Sequence, residues 1–231
     1  MSEVMELKER LAKCCRMLHW INIFDHSGHV SARIPGTDRV LIHPRHVSRH
    51  DVEAKHIVTV DLDGNLVEGD HEPPSEVHLH TCIYRDRVDV QSVVHLHSHY
   101  ATLLSMSGRQ IIPVWNQAAL FAAGVPVYPI SSTIRDQEEG KALSRALGGA
   151  RAVLLKGHGS VVVAESIDGV FVASHNLENT ARYQYELMLL GEPERLSEAE
   201  ISRAFDLSWN PRGINKVWSD CEALAKKAGV I

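Results

Sequence analysis

Apolar residues recur at helical spacing from Met5 to Ile23, where Leu7, Leu11, Cys14, Leu18 and Ile21 fall on one face and predict a first helix. Short runs rich in β-branched residues follow: HSGHVSARI, RVLIHP and HIVTVDLDGNLVEG. In the last of these, Asp63-Gly64 between two apolar runs predicts a hairpin turn. EPPSEVHLHTCIYRDR returns to helical spacing, with Ser75 placed to cap a helix from Glu76 onward. VQSVVHLH then predicts a strand, SHYATLLSMSG a short helix closed by Gly108, and IPVWNQAALFAAG a looser segment. VPVYPI predicts a strand and DQEEGKALSRALGG a helix. ARAVLLKGHGSVVVAES predicts two buried strands broken at Gly157-His158-Gly159, and helical spacing returns in IDGVFVASHNLENTARYQYELMLLG and SEAEISRAFDLSW. No repeat, low-complexity tract or linker divides this order. The expectation is one mixed α/β domain over residues 1–231, a central sheet flanked by helices.

Composition narrows the function classes. The 231 residues are 44% apolar and 23% charged, ordinary for a chain with a real core. A formal net charge of −5 offers no basic field to a nucleic acid. No segment approaches the ~20 apolar residues of a membrane span. The opening MSEVMELKERLAKCCRML reads as an amphipathic helix and not a signal peptide, because charges interrupt each apolar run. Cys14, Cys15, Cys82 and Cys221 form no C-x-x-C pair and read as reduced thiols, so a soluble, cytoplasmic protein is expected. The unusual count is histidine, 15 in all, the commonest metal ligand and the usual near-neutral acid–base group.

Successive strand residues point to opposite faces, so His95 and His97 in VVHLHSHYA share a face while Leu96 faces the core. That spacing lets both imidazoles hold one ion from a rigid platform, and it equally suits two histidines making ordinary hydrogen bonds. His158 stands between glycines where two apolar strands are interrupted, a place for close backbone approach or for a simple turn histidine. Glu76 stands at a helix start, where an anion also interacts favourably with the helix dipole.

Taken in order, Ser-Glu at a helix start, His-x-His on a strand and a later Gly-His-Gly resemble the class II, metal-dependent aldolase/adducin family. The resemblance runs from about Leu11 to Leu190 through SGHVSARI, LIHP, DLDGNLVEG, PPSEVHLHTCIY, VVHLHSHYA and LLKGHGSVVV. It implies a mainly antiparallel sheet, a homotetramer with active sites at subunit interfaces, and one divalent metal ion per subunit. His95, His97 and His158 match the metal-binding histidines, and Glu76 the carboxylate that carries protons and can also ligate the resting metal. Three neutral nitrogens leave an ion most of its charge and an open position, as a Lewis acid needs. The donor set suits Mn2+ or Zn2+, with Fe2+ and Co2+ as alternatives. His80, one helical turn after Glu76, and His99 are expected outside the ligand set.

Two departures bear on the reaction. Where the family's aldolases cradle phosphate with Ser-Gly-Asn, Thr-Gly and Ser-Ser-Glu, this chain has Ser27-Gly28-His29, Arg45-His46 and Pro74-Ser75-Glu76. Such a set fits a planar carboxylate better than a compact phosphate. In place of the aldolases' acid tyrosine stands Gln117, with Tyr128 and Tyr100 as candidates to replace it. The resemblance therefore points to the family's decarboxylases, acting on a hydroxylated aromatic or pyridine dicarboxylate through a metal-stabilised enolate. Glu76 is the expected proton relay; Arg45, with His29 or Ser75, is the expected clamp on a retained carboxylate. Arg212 is a further candidate, as is Arg182, expected on a packed helix face, while Trp209 and Trp218 in the tail of about 200–231 are candidates to cover the substrate ring. The alternatives are a sugar-phosphate aldolase or epimerase and, from another class, a metal-free adducin-like interaction module.

Overall fold

The β-rich runs pair into a single eight-stranded sheet, with helices on both faces. The computed structural model describes residues 2–231. Its elements in chain order begin with α1 (Glu3–Trp20), β1 (His29–Arg33), β2 (Arg39–Ile42), β3 (Val58–Asp61), β4 (Leu66–Glu68) and α2 (Val77–Asp86). There follow β5 (Ser92–Leu96), α3 (His99–Ser105), β6 (Val127–Tyr128), α4 (Gln137–Leu147), β7 (Ala152–Leu155) and β8 (Gly159–Ala164). Three helices close the chain: α5 (Ile167–Met188), α6 (Glu198–Ser208) and α7 (Pro211–Lys227). The strand order is β4-β3-β2-β1-β5-β8-β7-β6, antiparallel throughout except for β6 beside β7.

The strands at the centre of the sheet are buried on both faces, which is why SVVHL and GSVVVA lack polar alternation. Their period-2 geometry still sorts them. Val94, Leu96, Val162 and Ala164 join the core beneath α1, α3 and α5, while Val93, Val161 and Val163 join the core beneath α2 and α4. Leu96 thus faces the larger core, and His95 points the other way, toward α2. The Asp63-Gly64 turn forms as the sequence predicts, with Gly64 at φ +85°.

Two expectations change. Glu76, not Ser75, occupies the cap position of α2, and its side chain caps nothing because it turns inward. The tail is also helical over a second stretch: the Asn210 side chain accepts from the backbone N–H groups of Arg212 and Gly213, each at 3.1 Å, with Pro211 in the first turn. This start signal was open to reading in the sequence. Along α7, Trp218 is core: it is 2% exposed, its ring 5.5 Å from that of Phe171 with the Arg10 guanidinium over it.

Gly159 brings the start of β8 against the end of β5. A Cβ there would collide with the carbonyl oxygen of Leu96 and stand 2.8 Å from Cδ2 of His97. Gly159→Ala is therefore expected to destabilise the protein by about 1–3 kcal/mol, the usual range for overpacking, and to displace His158. A lowered urea midpoint with unchanged slope would show the first effect.

Candidate metal centre

Three chain segments converge at one end of the central strands β5 and β8. His95 lies one residue from the end of β5 and His97 just beyond it, His158 immediately precedes β8, and Glu76 leads into α2. One potential ligand atom from each lies within 4.8 Å of all the others. His95 and Glu76 are buried and the other two are half-buried.

The far nitrogen of each imidazole fixes its tautomer. Nδ1–H of His95 donates to the carbonyl of Ser160, and Nδ1–H of His158 to the carbonyl of Ser132, both at 3.0 Å. His97 donates from Nδ1 to Oδ2 of Asp25, also at 3.0 Å. All three Nε2 lone pairs are thereby left facing the centre, and those of His95 and His97 stand only 3.0 Å apart. Two lone pairs at that separation repel unless a cation lies between them, so the donor set fits a divalent ion.

Glu76 completes the group. Its Oε1 accepts the backbone N–H of Ile134 at 3.0 Å, and its Oε2 lies 3.4 Å from Nε2 of His95 and 3.8 Å from Nε2 of His29. Burial would raise its pKa, but its polar contacts, the His29 ring first among them, outweigh that and hold the carboxylate ionised. Burial, reinforced by His95, lowers the pKa of His158, which keeps it neutral as a ligand must be. Asp25 is likewise held well below the usual carboxylate range: burial opposes ionisation, and the bonds from His97 and the Ser27 backbone N–H overcome it.

A family model for the class II aldolase and adducin N-terminal domain matches residues 9–185. The chain belongs to that family. It is 30% identical over 162 residues to the 5-deoxy-D-ribulose 1-phosphate aldolase of Bacillus thuringiensis, covering 70% of this chain and 76% of that protein. It is 31% identical over 198 residues to the 3,4-dihydroxyphthalate decarboxylase of Arthrobacter keyseri, covering 80% and 79%. Among solved structures, an L-fuculose 1-phosphate aldolase superposes with TM-score 0.80 at 26% identity, over 89% of this chain and 96% of that one. Lyase relatives of both kinds thus stand at equal distance. Among the described residues no helix is long and apolar enough to cross a membrane.

Within this class II aldolase-type fold the remaining sequence candidates separate into three places. Ser75, the residue before Glu76, and Arg45 are both exposed, on a rim formed by the loops around Arg45 and Glu72. That rim is stitched together by backbone and buried side-chain bonds: Arg45 N–H donates to the Glu72 carbonyl at 2.9 Å, and Nε of buried Arg49 donates to the Gly28 carbonyl at 2.8 Å. Arg45 has only a loose ion pair, Nη1 to Glu72 Oε2 at 3.8 Å.

His29 lies inside, 2% exposed, behind Glu76 and not on the rim, with burial lowering its pKa to about 4. In this chain's own fold Arg212 is not brought to the cluster. Its neighbour Trp209 lies by Gly169 and Arg151, at the opposite end of the strands from His158. Nor is Arg182 packed: it is exposed and paired with Glu186 one turn on.

Asp25 and Arg49 were not singled out from the sequence. Asp25 sits two residues before Ser27-Gly28 and reaches His97 across 72 positions, a partnership that no local pattern signals. Asp25→Asn keeps the shape and removes the charge behind His97, so metal affinity is expected to fall about 10- to 100-fold. Competition with a calibrated zinc chelator reads that loss directly.

Proposed function

We propose that this protein is a divalent-metal-dependent decarboxylase of a hydroxylated aromatic or pyridine dicarboxylate. The observation that carries the reading is an exposed cation, Arg45, on a loop bonded to Glu72, together with the exposed Ser75 hydroxyl next to Glu76, where the resemblance leads one to expect a cradle of small residues for phosphate. Supporting it, the resemblance puts Gln117 where an aldolase needs an acid; of the two tyrosines that could replace it, Tyr128 is 5% exposed, buried within β6, and half-buried Tyr100 packs its ring by those of His99 and Tyr185. Decarboxylation needs no acid at an aldehyde oxygen.

His95, His97 and His158 are the residues we assign as holding the ion, with Glu76 able to join them at rest, and Zn2+ or Mn2+ is preferred for such a set of nitrogens with a carboxylate. When bound, the ion supplies Lewis-acid stabilisation of the negative charge that develops on a substrate oxygen. The chain's own residues do the rest. Arg45 and Ser75 anchor the carboxylate that is retained, leaving the other over the cluster. Glu76, ionised at rest, accepts the proton of the substrate hydroxyl. Glu76 returns its proton to the ring carbon that bears the departing carboxylate, giving the keto form, and is again ionised. The bond to that carboxylate then breaks, CO2 leaves, and its electron pair restores the aromatic ring with the negative charge on the former hydroxyl oxygen, which regains a proton from water.

Arg45→Met tests the clamp. KM for a dicarboxylate is expected to rise about 10- to 100-fold, the worth of a charged hydrogen bond, while a monocarboxylate lacking the retained group is unaffected. Equal losses on both substrates would remove Arg45 from this role.

We also infer a homotetramer with its sites at subunit interfaces. Met106 and Ile130, 55% and 52% exposed, flank the His158 loop and leave an apolar margin for a neighbour to cover. The coarser alternative, a sugar-phosphate aldolase or epimerase on the same cluster, is favoured by the similarity to the Bacillus thuringiensis enzyme.

A further inference from the structure

One stripe of α2 continues behind the metal cluster. Glu76, His80 and Tyr84 follow one another at four-residue steps, and β1 opposite presents His29, Ser31 and Arg33 at two-residue steps. Four helical residues advance about 6 Å and two strand residues about 6.6 Å, so the two rows stay in step and interleave.

The contacts form a file with one branch, the Ser31 hydroxyl also lying 3.4 Å from the Val93 carbonyl. Nδ1 of His29 lies 2.7 Å from Nε2 of His80, Nδ1 of His80 lies 2.6 Å from Oγ of Ser31, and Ser31 Oγ lies 2.9 Å from the Tyr84 hydroxyl. Arg33 closes the far end, donating to the Tyr84 carbonyl with its guanidinium over the ring. His29, Ser31, His80 and Tyr84 are all buried, none more than 2% exposed.

The direction of this file is decided at its inner end. Ionised Glu76 only accepts hydrogen bonds, so His29 must turn an N–H and not a lone pair toward it. A neutral His29 with its proton on Nε2 has an acceptor at Nδ1, which requires a donor at Nε2 of His80. His80 then accepts at Nδ1, Ser31 donates to it, and Tyr84 donates to Ser31. Full burial disfavours charge on His80 and on the Tyr84 hydroxyl, lowering the pKa of the one and raising that of the other.

We propose that Tyr84, Ser31, His80 and His29 form a one-way donor relay that ends in an N–H facing Oε2 of Glu76, with His80 as the positioning residue on which its direction depends. Ile134 N–H donates to Oε1 at 3.0 Å, and Nε2 of His29 stands 3.8 Å from Oε2, an electrostatic contact longer than a hydrogen bond. His29 therefore serves the site through Glu76 and not by touching substrate. The consequence for turnover rests on the reading of Glu76 as proton carrier; the wiring itself does not.

Nitrogen-15 NMR of ring-labelled histidines in the Zn2+-loaded protein tests the wiring without turnover. His29 and His80 are expected as neutral Nε2–H tautomers whose ring protons exchange slowly with water. An Nδ1–H tautomer at either residue, an imidazolium signal at neutral pH, or ring protons exchanging at solvent-exposed rates would overturn the proposal. For the consequence, His80→Leu is expected to lower kcat about 10- to 100-fold at unchanged KM and with one Zn2+ per chain. His80→Gln, which keeps a donor toward His29, is expected to recover part of that loss, whereas a wild-type kcat in His80→Leu would refute the positioning role. Should His80→Leu not fold, the wild-type spectrum decides alone. Undiminished kcat in Glu76→Gln with the same histidine spectrum would instead sink the proton-carrier reading and leave the relay standing.

Discussion

His95→Ala is expected to abolish tight metal binding, with affinity falling by at least about 100-fold, the upper end of what losing only an outer partner of a ligand costs. His95 is the most constrained member of the cluster: fully buried, on the strand itself, with Nδ1–H committed to the Ser160 carbonyl. Its removal leaves a cavity, an unpaired carbonyl and two histidines whose remaining geometry fits an ion poorly. Equilibrium dialysis against Zn2+ or Mn2+, followed by elemental analysis, measures the loss. Catalysis should disappear in parallel and should not return at moderate metal excess. Retained stoichiometric metal would mean that the ion, if bound, sits elsewhere.

Glu76→Gln should separate chemistry from assembly. Glutamine keeps an oxygen for Ile134 N–H and nearly the same volume, but it can neither take nor return a proton. The expected result is a kcat lower by about 10²- to 10⁴-fold, the usual contribution of a positioned acid–base group, with KM changed little. Rapid mixing of loaded variant with substrate would show binding without turnover. A variant with near wild-type kcat would assign the proton transfers to another group.

The sequence carried the cluster unusually far because its members announce themselves locally. His95 and His97 are two apart on a strand, and His158 stands between glycines, one of which, Gly159, is needed for the close approach of β8 to β5. Helices and strands were legible where the period was clear, as in the long α5, and where punctuation marked a turn, as at Asp63-Gly64. Partnerships across long separations were not. Asp25 behind His97, and the rows of α2 and β1 behind Glu76, depend on β1 lying antiparallel to β5 with His29 opposite His95. The same pairing explains why His29, read as a rim residue, lies inside. The helix cap assigned to Ser75 fell one position early because Glu76 fills that place while its side chain serves the site. The tail was read for its tryptophans, although Asn210-Pro211 ahead of an amphipathic stretch already signalled α7.

The most direct test of the central claim is CO2 release by the metal-reconstituted protein, from ring-hydroxylated phthalates and pyridine dicarboxylates, with ribulose- and fuculose-type sugar phosphates run beside them. The result expected is CO2 release that a chelator abolishes and the divalent ion restores, with the sugar phosphates left intact. Cleavage of a sugar phosphate without any CO2 would contradict it, and would make Arg45, Ser75 and Gln117 parts of an unusual aldolase site.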